Sequence, residues 1–185
     1  APVAVAERAL TADVDAVLAG VDARTRLVFI ANPNNPTGTY LPTSELARLR
    51  AGLPGEVLLV IDAAYAEYID RADYQGAFEL VDANDNVVLT RTFSKIYGLG
   101  GGRLGWAYCP DAVADVLNRS RNPFNVSSLA QVAGLAALSD GAFVARAQAH
   151  NSRWRGWLSD ELRRLGLSVG ESFCNFVLAR FSDPA

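Results

Sequence analysis

The chain contains no methionine, one lysine, one histidine and two cysteines among its 185 residues. Each shortage excludes something. Cys109 and Cys174 allow at most one bridge, and neither belongs to a CxxC pair or a Cys/His cluster. A disulfide scaffold and a metal site are therefore set aside, and a reducing, cytoplasmic setting is expected. No basic run exceeds Arg163-Arg164 and the net charge is −3, which argues against nucleic acid or an anionic membrane as partner. No stretch approaches the ~18 uninterrupted apolar residues of a membrane span. The opening APVAVAERAL lacks the basic start and long apolar run of a signal peptide. From the missing methionine we expect a processed, cut or partial chain.

The lysine shortage is the most informative. Of 17 basic residues, 16 are arginine and one is Lys95. Arginine keeps its proton near neutral pH, whereas a lysine amine can lose it and act as a nucleophile. A lone lysine in an arginine-rich chain thus marks a place where arginine chemistry fails. Taken alone, the observation fits a surface lysine retained by chance equally well.

What is present is core material. Half the residues are apolar and a fifth are charged, enough for one domain or one domain and part of a second. LVFIA (Leu27–Ala31), 57–61, 87–90 and 104–109 read as short apolar strands. The spacing predicts helices over 43–51, 78–83, 111–118, 127–138 and 141–165. Continuous apolar strands separated by helices predict a mainly parallel sheet covered on both faces. The fourth strand follows the third without an obvious helix, so its direction is left open. The last helix carries Trp154, Trp157, Leu158, Leu162 and Leu165 as an apolar stripe. After Gly166 two further short strands begin a second unit.

In parallel α/β sheets, ligands bind beyond the carboxyl ends of the strands. The first strand here leads into Asn32-Pro-Asn-Asn-Pro-Thr-Gly38, the second into Asp62 and Tyr65, and the third into Thr92-Phe-Ser-Lys95. Individually these are a turn asparagine, a capping aspartate and a core tyrosine. Jointly they deliver amide, carboxylate, phenol, hydroxyl and amine to one sheet edge.

ANPNNPTG, VIDAAYAEY and TFSKIYGLGGGRLGW, in this order and spacing, resemble the motifs of fold-type I pyridoxal-phosphate (PLP) aminotransferases. Their wording is most similar to the histidinol-phosphate aminotransferases. The resemblance covers nearly the whole chain but only the middle half of a complete family member. It implies an α/β fold: a mainly parallel sheet with helices on both faces, as an incomplete large PLP-binding domain over 1–145. Residues 146–185 would form a connecting helix and the start of a small α/β domain. It also implies pyridoxal 5'-phosphate as cofactor, an electron sink for a substrate carbanion. Lys95 would form the imine and shuttle the proton, Asp62 would hold the pyridine nitrogen protonated, and Tyr65 with Asn35 would bond the cofactor's 3′ oxygen. Thr92, Ser94 and Arg103 match phosphate-binding positions.

The implied reaction moves an amino group between L-histidinol phosphate and 2-oxoglutarate, with glutamate as the other amino partner, in a homodimer. Threonine-phosphate decarboxylases and aromatic aminotransferases share these motifs, and a PLP-binding sensor domain is the non-enzymatic alternative. Pro123-Phe-Asn125 resembles a segment near the edge that family members share between subunits. The family's substrate-carboxylate arginine is expected beyond residue 185.

Gly100-Gly-Gly102-Arg-Leu-Gly105 fits the G-x-G-x-x-G spacing of dinucleotide sites. That fingerprint needs a helix after it, and the following LGWAY reads as a strand. His150 is expected to be a solvated helix residue, and the two glycosylation-like triplets, at Asn118 and Asn125, carry no weight without a secretory setting.

Overall fold

The structure, a computed structural model, describes residues 1–181. Its centre is a four-stranded sheet in the order β3 (Leu27–Ala31), β4 (Leu58–Asp62), β5 (Val87–Thr92), β6 (Gly105–Tyr108). The first three strands are parallel, with Phe29 opposite Val60 and Val60 opposite Val88. β6 returns antiparallel, pairing Thr92 with Gly105, which closes the direction that the sequence left open. Two minor pairs flank the sheet: β1 (Glu7–Arg8) with β2 (Thr11–Ala12), and β7 (Ser168–Val169) with β8 (Ala179–Arg180).

Six helices complete the fold: α1 (Val14–Ala19), α2 (Thr43–Gly52), α3 (Phe78–Asp82), α4 (Asp111–Ser120), α5 (Ser128–Ser139) and α6 (Gly141–Arg164). Local chemistry explains where they begin. The Asp13 carboxylate accepts from the amides of Asp15 and Ala16 at the start of α1, and Ser127 and Asp140 do the same for α5 and α6. Arg50, in the last turn of α2, is buried and donates to the carbonyls of Leu53, Pro54 and Val57. One guanidinium thereby satisfies the turn that feeds β4.

The core lies on one face of the sheet. Val28, Ile30, Leu59, Ile61, Val87 and Leu89 pack with Val14 of α1, Leu46 and Leu49 of α2, and Val81 of α3. The opposite face is buried at Val88 of β5 but open along the edge strand β3. Leu27 and Phe29 point away from this core, and Phe29 is 71% exposed. β3 is an edge strand that alternates between the two faces, so its second face is open among the described residues.

The stripe on α6 forms as a helical stripe, but Trp154, Trp157, Leu158 and Leu165 remain exposed. Trp154 and Trp157 stack edge to face at 5.4 Å. After Gly166 the chain forms β7 and β8, the two short strands expected there, and 182–185 lie outside the described residues.

Candidate functional site

The loop after β3 is rigid because Asn32 is buried and fully used. Its Nδ2 donates to the Leu41 carbonyl at 3.0 Å, its Oδ1 accepts from the Leu41 amide at 2.7 Å, and its own carbonyl accepts from Tyr74 at 2.9 Å. The peptides preceding Pro33 and Pro36 are both cis. Clamped in this way, the loop turns Asn35 outward over β4. The Asn35 Nδ2 donates to the Tyr65 hydroxyl at 3.1 Å, so two of the expected residues meet directly.

Tyr65 follows Asp62, the last residue of β4, and enters a single 3-10 turn over Ala66–Tyr68. Its ring is 6% exposed. Asp62 stands between Ala31 and Thr90 at the ends of the adjacent strands, with one carboxylate oxygen accepting from the Ala64 amide at 3.1 Å. Its side chain remains open to solvent, ready for a ligand rather than for a core partner.

The third segment leaves β5. The Ser94 amide donates to the Thr92 hydroxyl at 3.0 Å, bending the chain toward Lys95. The Lys95 Nζ lies 5.0 Å from the centre of the Tyr65 ring. Arg103 adopts a left-handed backbone, φ +52°, an uncommon state for a residue with a Cβ. That turn folds its guanidinium back to the Gly100 carbonyl at 2.8 Å and the Ser94 hydroxyl at 3.4 Å. Strain of this kind collects at binding sites. Thr92, Ser94 and Arg103 thus present two hydroxyls and a charge-bearing fork beside Lys95, a set suited to a phosphate.

The glycine run of 100–102 forms a 3-10 turn and leads into β6. No helix follows it, so the dinucleotide reading fails on its own criterion. Lys95 also borders a cavity of about 690 Å³ against α6, whose wall includes Tyr68, Arg146, His150 and Trp154. His150 is exposed as expected, yet it faces the space that contains the lysine. Among the described residues, no group of His, Cys, Asp and Glu is arranged to hold a metal.

Two residues that the sequence reading did not single out sit directly behind this site. Glu67 and Arg91 form a buried ion pair at 3.0 Å. Their only trace in the sequence is that Glu67 lies inside VIDAAYAEY and Arg91 directly precedes TFSKIYGLGGGRLGW.

The profile of the family described as aminotransferase class I and II matches residues 2–185. A histidinol-phosphate aminotransferase of Paramagnetospirillum magneticum is 60% identical over 184 residues, covering 100% of this chain and 51% of that protein. One from Rhodospirillum centenum is 62% identical, covering 98% of this chain and 50% of that protein. The chain therefore spans about half the length of the curated relatives that it matches. The crystal structure of a histidinol-phosphate aminotransferase from Sinorhizobium meliloti, in complex with pyridoxal-5'-phosphate, superposes with a TM-score of 0.85 at 33% identity. It covers 89% of this chain and 45% of that one.

Proposed function

This chain belongs to the class I and II aminotransferase family, and on that premise we propose that it is the PLP-binding part of an enzyme transaminating L-histidinol phosphate. The acceptor in this reading is 2-oxoglutarate, the other amino partner is glutamate, and the setting is cytoplasmic histidine biosynthesis. The observation that carries it is the convergence of Lys95, Tyr65, Asn35 and Asp62 at three consecutive strand ends.

The residues present fit the cofactor by their chemistry. PLP, when bound, supplies an aldehyde that condenses with amines and a pyridine ring that accepts electrons from the substrate carbon. Lys95 is the one side-chain amine of the chain and, once released, the base and then acid that moves the substrate proton. Asp62 provides the negative charge that keeps a ring nitrogen protonated. The Asn35 amide fills one lone pair of the Tyr65 oxygen, leaving the phenol proton free to bond a cofactor oxygen. Arg103, Ser94 and Thr92 hold the phosphate.

We place the division between large domain and connecting segment at 145/146, inside α6, which continues unbroken across it. The assembly in this reading is a homodimer. Support comes from α5, where Leu129, Val132, Leu135 and Leu138 are all exposed on a helix rich in apolar residues.

The decisive experiment grafts residues 1–185 into the Paramagnetospirillum magneticum relative in place of the matching stretch. Borohydride reduction with PLP should label the peptide containing Lys95, and Lys95→Ala should abolish both label and transamination. The chimera should prefer histidinol phosphate over phenylalanine or aspartate. Label absent from the Lys95 peptide sinks the reading. Carbon dioxide released from threonine phosphate without any 2-oxo acid would move the assignment to a decarboxylase.

A further inference from the structure

Behind the Tyr65–Lys95 contact lies a charge pair that the chemistry above does not use. Glu67 sits in the 3-10 turn two residues after Tyr65, and Arg91 sits on β5 four residues before Lys95. Their side chains meet at 3.0 Å and are 15% and 10% exposed. Arg91 also lies over the Phe78 ring at 5.4 Å. The Glu67 carbonyl accepts from the Gln148 side chain of α6, so the turn is braced from a second side. Burial pushes the Glu67 carboxyl up against the opposing pull of Arg91.

Stability is a poor account of this pair. Two charges lose their hydration on burial, and apolar groups of the same shape generally serve a core as well or better. The cost here is higher still, because Glu67 Oε2 and Arg91 Nε have no hydrogen-bond partner among the described residues. What an ion pair supplies that apolar packing does not is a fixed direction. That direction is needed at this point of the fold. The ladder between β4 and β5 ends at Asp62 and Thr90, with a last bond from the Ala63 amide to the Thr90 carbonyl. Past it, no backbone hydrogen bond among the described residues joins the turn displaying Tyr65 to the segment displaying Lys95. Glu67 and Arg91 span that gap.

We infer that Glu67 and Arg91 are positioning residues that set Tyr65 against Lys95 and thereby fix the grip on the cofactor. The inference rests on the PLP-binding reading above. Neither residue touches the reacting atoms; they act through the turn and the strand.

The test compares Glu67→Gln, which keeps shape and removes one charge, with the doubly neutral Glu67→Gln/Arg91→Met. In the chimera described above, PLP affinity is measured by titration of the apo form, the pH midpoint of the bound cofactor's visible absorbance is followed separately, and thermal midpoints are recorded for each variant. The double variant should recover the thermal stability that Glu67→Gln loses, because no charge remains stranded. It should nevertheless bind PLP about tenfold more weakly, with a displaced absorbance midpoint, because a misplacement of an ångström is enough to cost that much. Glu67→Asp keeps both charges while lengthening the contact, and should show an intermediate loss of affinity; it serves where the neutral variants fail to fold. A double variant, or failing that Glu67→Asp, with wild-type PLP affinity and absorbance midpoint overturns the inference. If the unsubstituted protein itself does not bind PLP, the function reading has failed instead, so the two failures are distinct.

Discussion

The stretch from β3 to Lys95 and the stretch from α4 to α6 use apolar residues in opposite ways. In the first, Leu59, Ile61, Val87 and Leu89 are fully buried against helices of the same stretch. In the second, Val116, Leu117, Leu129, Val132, Leu135, Trp154 and Trp157 are exposed, and Phe124 is 97% exposed on a left-handed backbone at φ +55°. The first stretch has its own core and carries every candidate cofactor residue except Arg103. The second has the amphipathic composition of a packed layer without the layer that would cover it here. A site that depends on sub-ångström placement stands on the part that has a buried core of its own.

The sharpest way to break this comparison is to truncate one apolar side chain in each stretch. Ile61 is fully buried one residue before Asp62, and Leu135 is 69% exposed on α5. Ile61→Ala should cost about 3 kcal/mol in urea denaturation, from lost transfer energy and a cavity in a packed sheet. Leu135→Ala should stay within about 0.5 kcal/mol, as exposed positions do. Equal losses would mean that α5 is covered in solution, and a concentration-dependent loss would identify a second copy as the cover.

Much of the first stretch was legible because its signals are local and redundant. Leu27–Ala31, followed by Asn32-Pro33, reads as a buried run closed by a turn, and the strand has those bounds. Gly52 and Pro42 bracket α2 as helix punctuation predicts. The failures have equally physical causes. β1 and β2 are two residues long, too short to show a period of two. α1 has six residues, and its best signal was the single capping carboxylate of Asp13. Apolar runs predict cover on both sheet faces, but a run does not say how far that cover reaches: Val88 on β5 is buried on the second face, while Phe29 on the edge strand β3 is exposed. Glu67 and Arg91 lie 24 positions apart by their numbers, and nothing local marks two opposite charges as partners. Their meeting exists only once the turn and the strand are side by side.

The join between the stretches offers a smaller effect. Gly38 has φ +75°, and a Cβ there would lie 2.2 Å from the Ser172 hydroxyl and 2.6 Å from its Cβ. The Phe173 amide donates to the Gly38 carbonyl at 2.7 Å, while Phe173 packs edge to face on Tyr40 at 4.7 Å. The segment between β7 and β8 therefore docks on the loop that displays Asn35. Gly38→Ala should cost about 2 kcal/mol, part from the left-handed backbone and part from the clash. Ser172→Gly relieves the side-chain clash but also deletes the hydroxyl that donates to the Phe176 carbonyl and accepts from the Cys174 amide, so the alanine is read against that background, where it should cost about half as much. If the alanine costs the same in both backgrounds, the docking seen between Gly38 and Ser172 is not what it disrupts.

The smallest effect is a titration at the same join. Cys174 is fully buried, its carbonyl holds Asn151 at 3.1 Å and Arg155 at 2.9 Å, and burial pushes its thiol up to about 12. An unfolded cysteine ionises near its ordinary value of 9.0, well below the folded one. Unfolding therefore releases a proton between these values, and the contribution is fully present below pH 9 and lost as pH rises toward 12. At one unit above the unfolded value the loss is about 1 kcal/mol, since each unit of difference is worth ~1.4 kcal/mol. The pH dependence of urea denaturation between 9 and 10 should therefore be shallower in Cys174→Ala than in the unsubstituted chain. Cys109 provides the internal contrast: it is only half-buried, so alkylation at pH 9 should reach it first and reach Cys174 only as the join opens. Parallel stability curves in the two proteins, or equal alkylation rates at the two thiols, would show that the segment between β7 and β8 does not stay docked on the Asn35 loop.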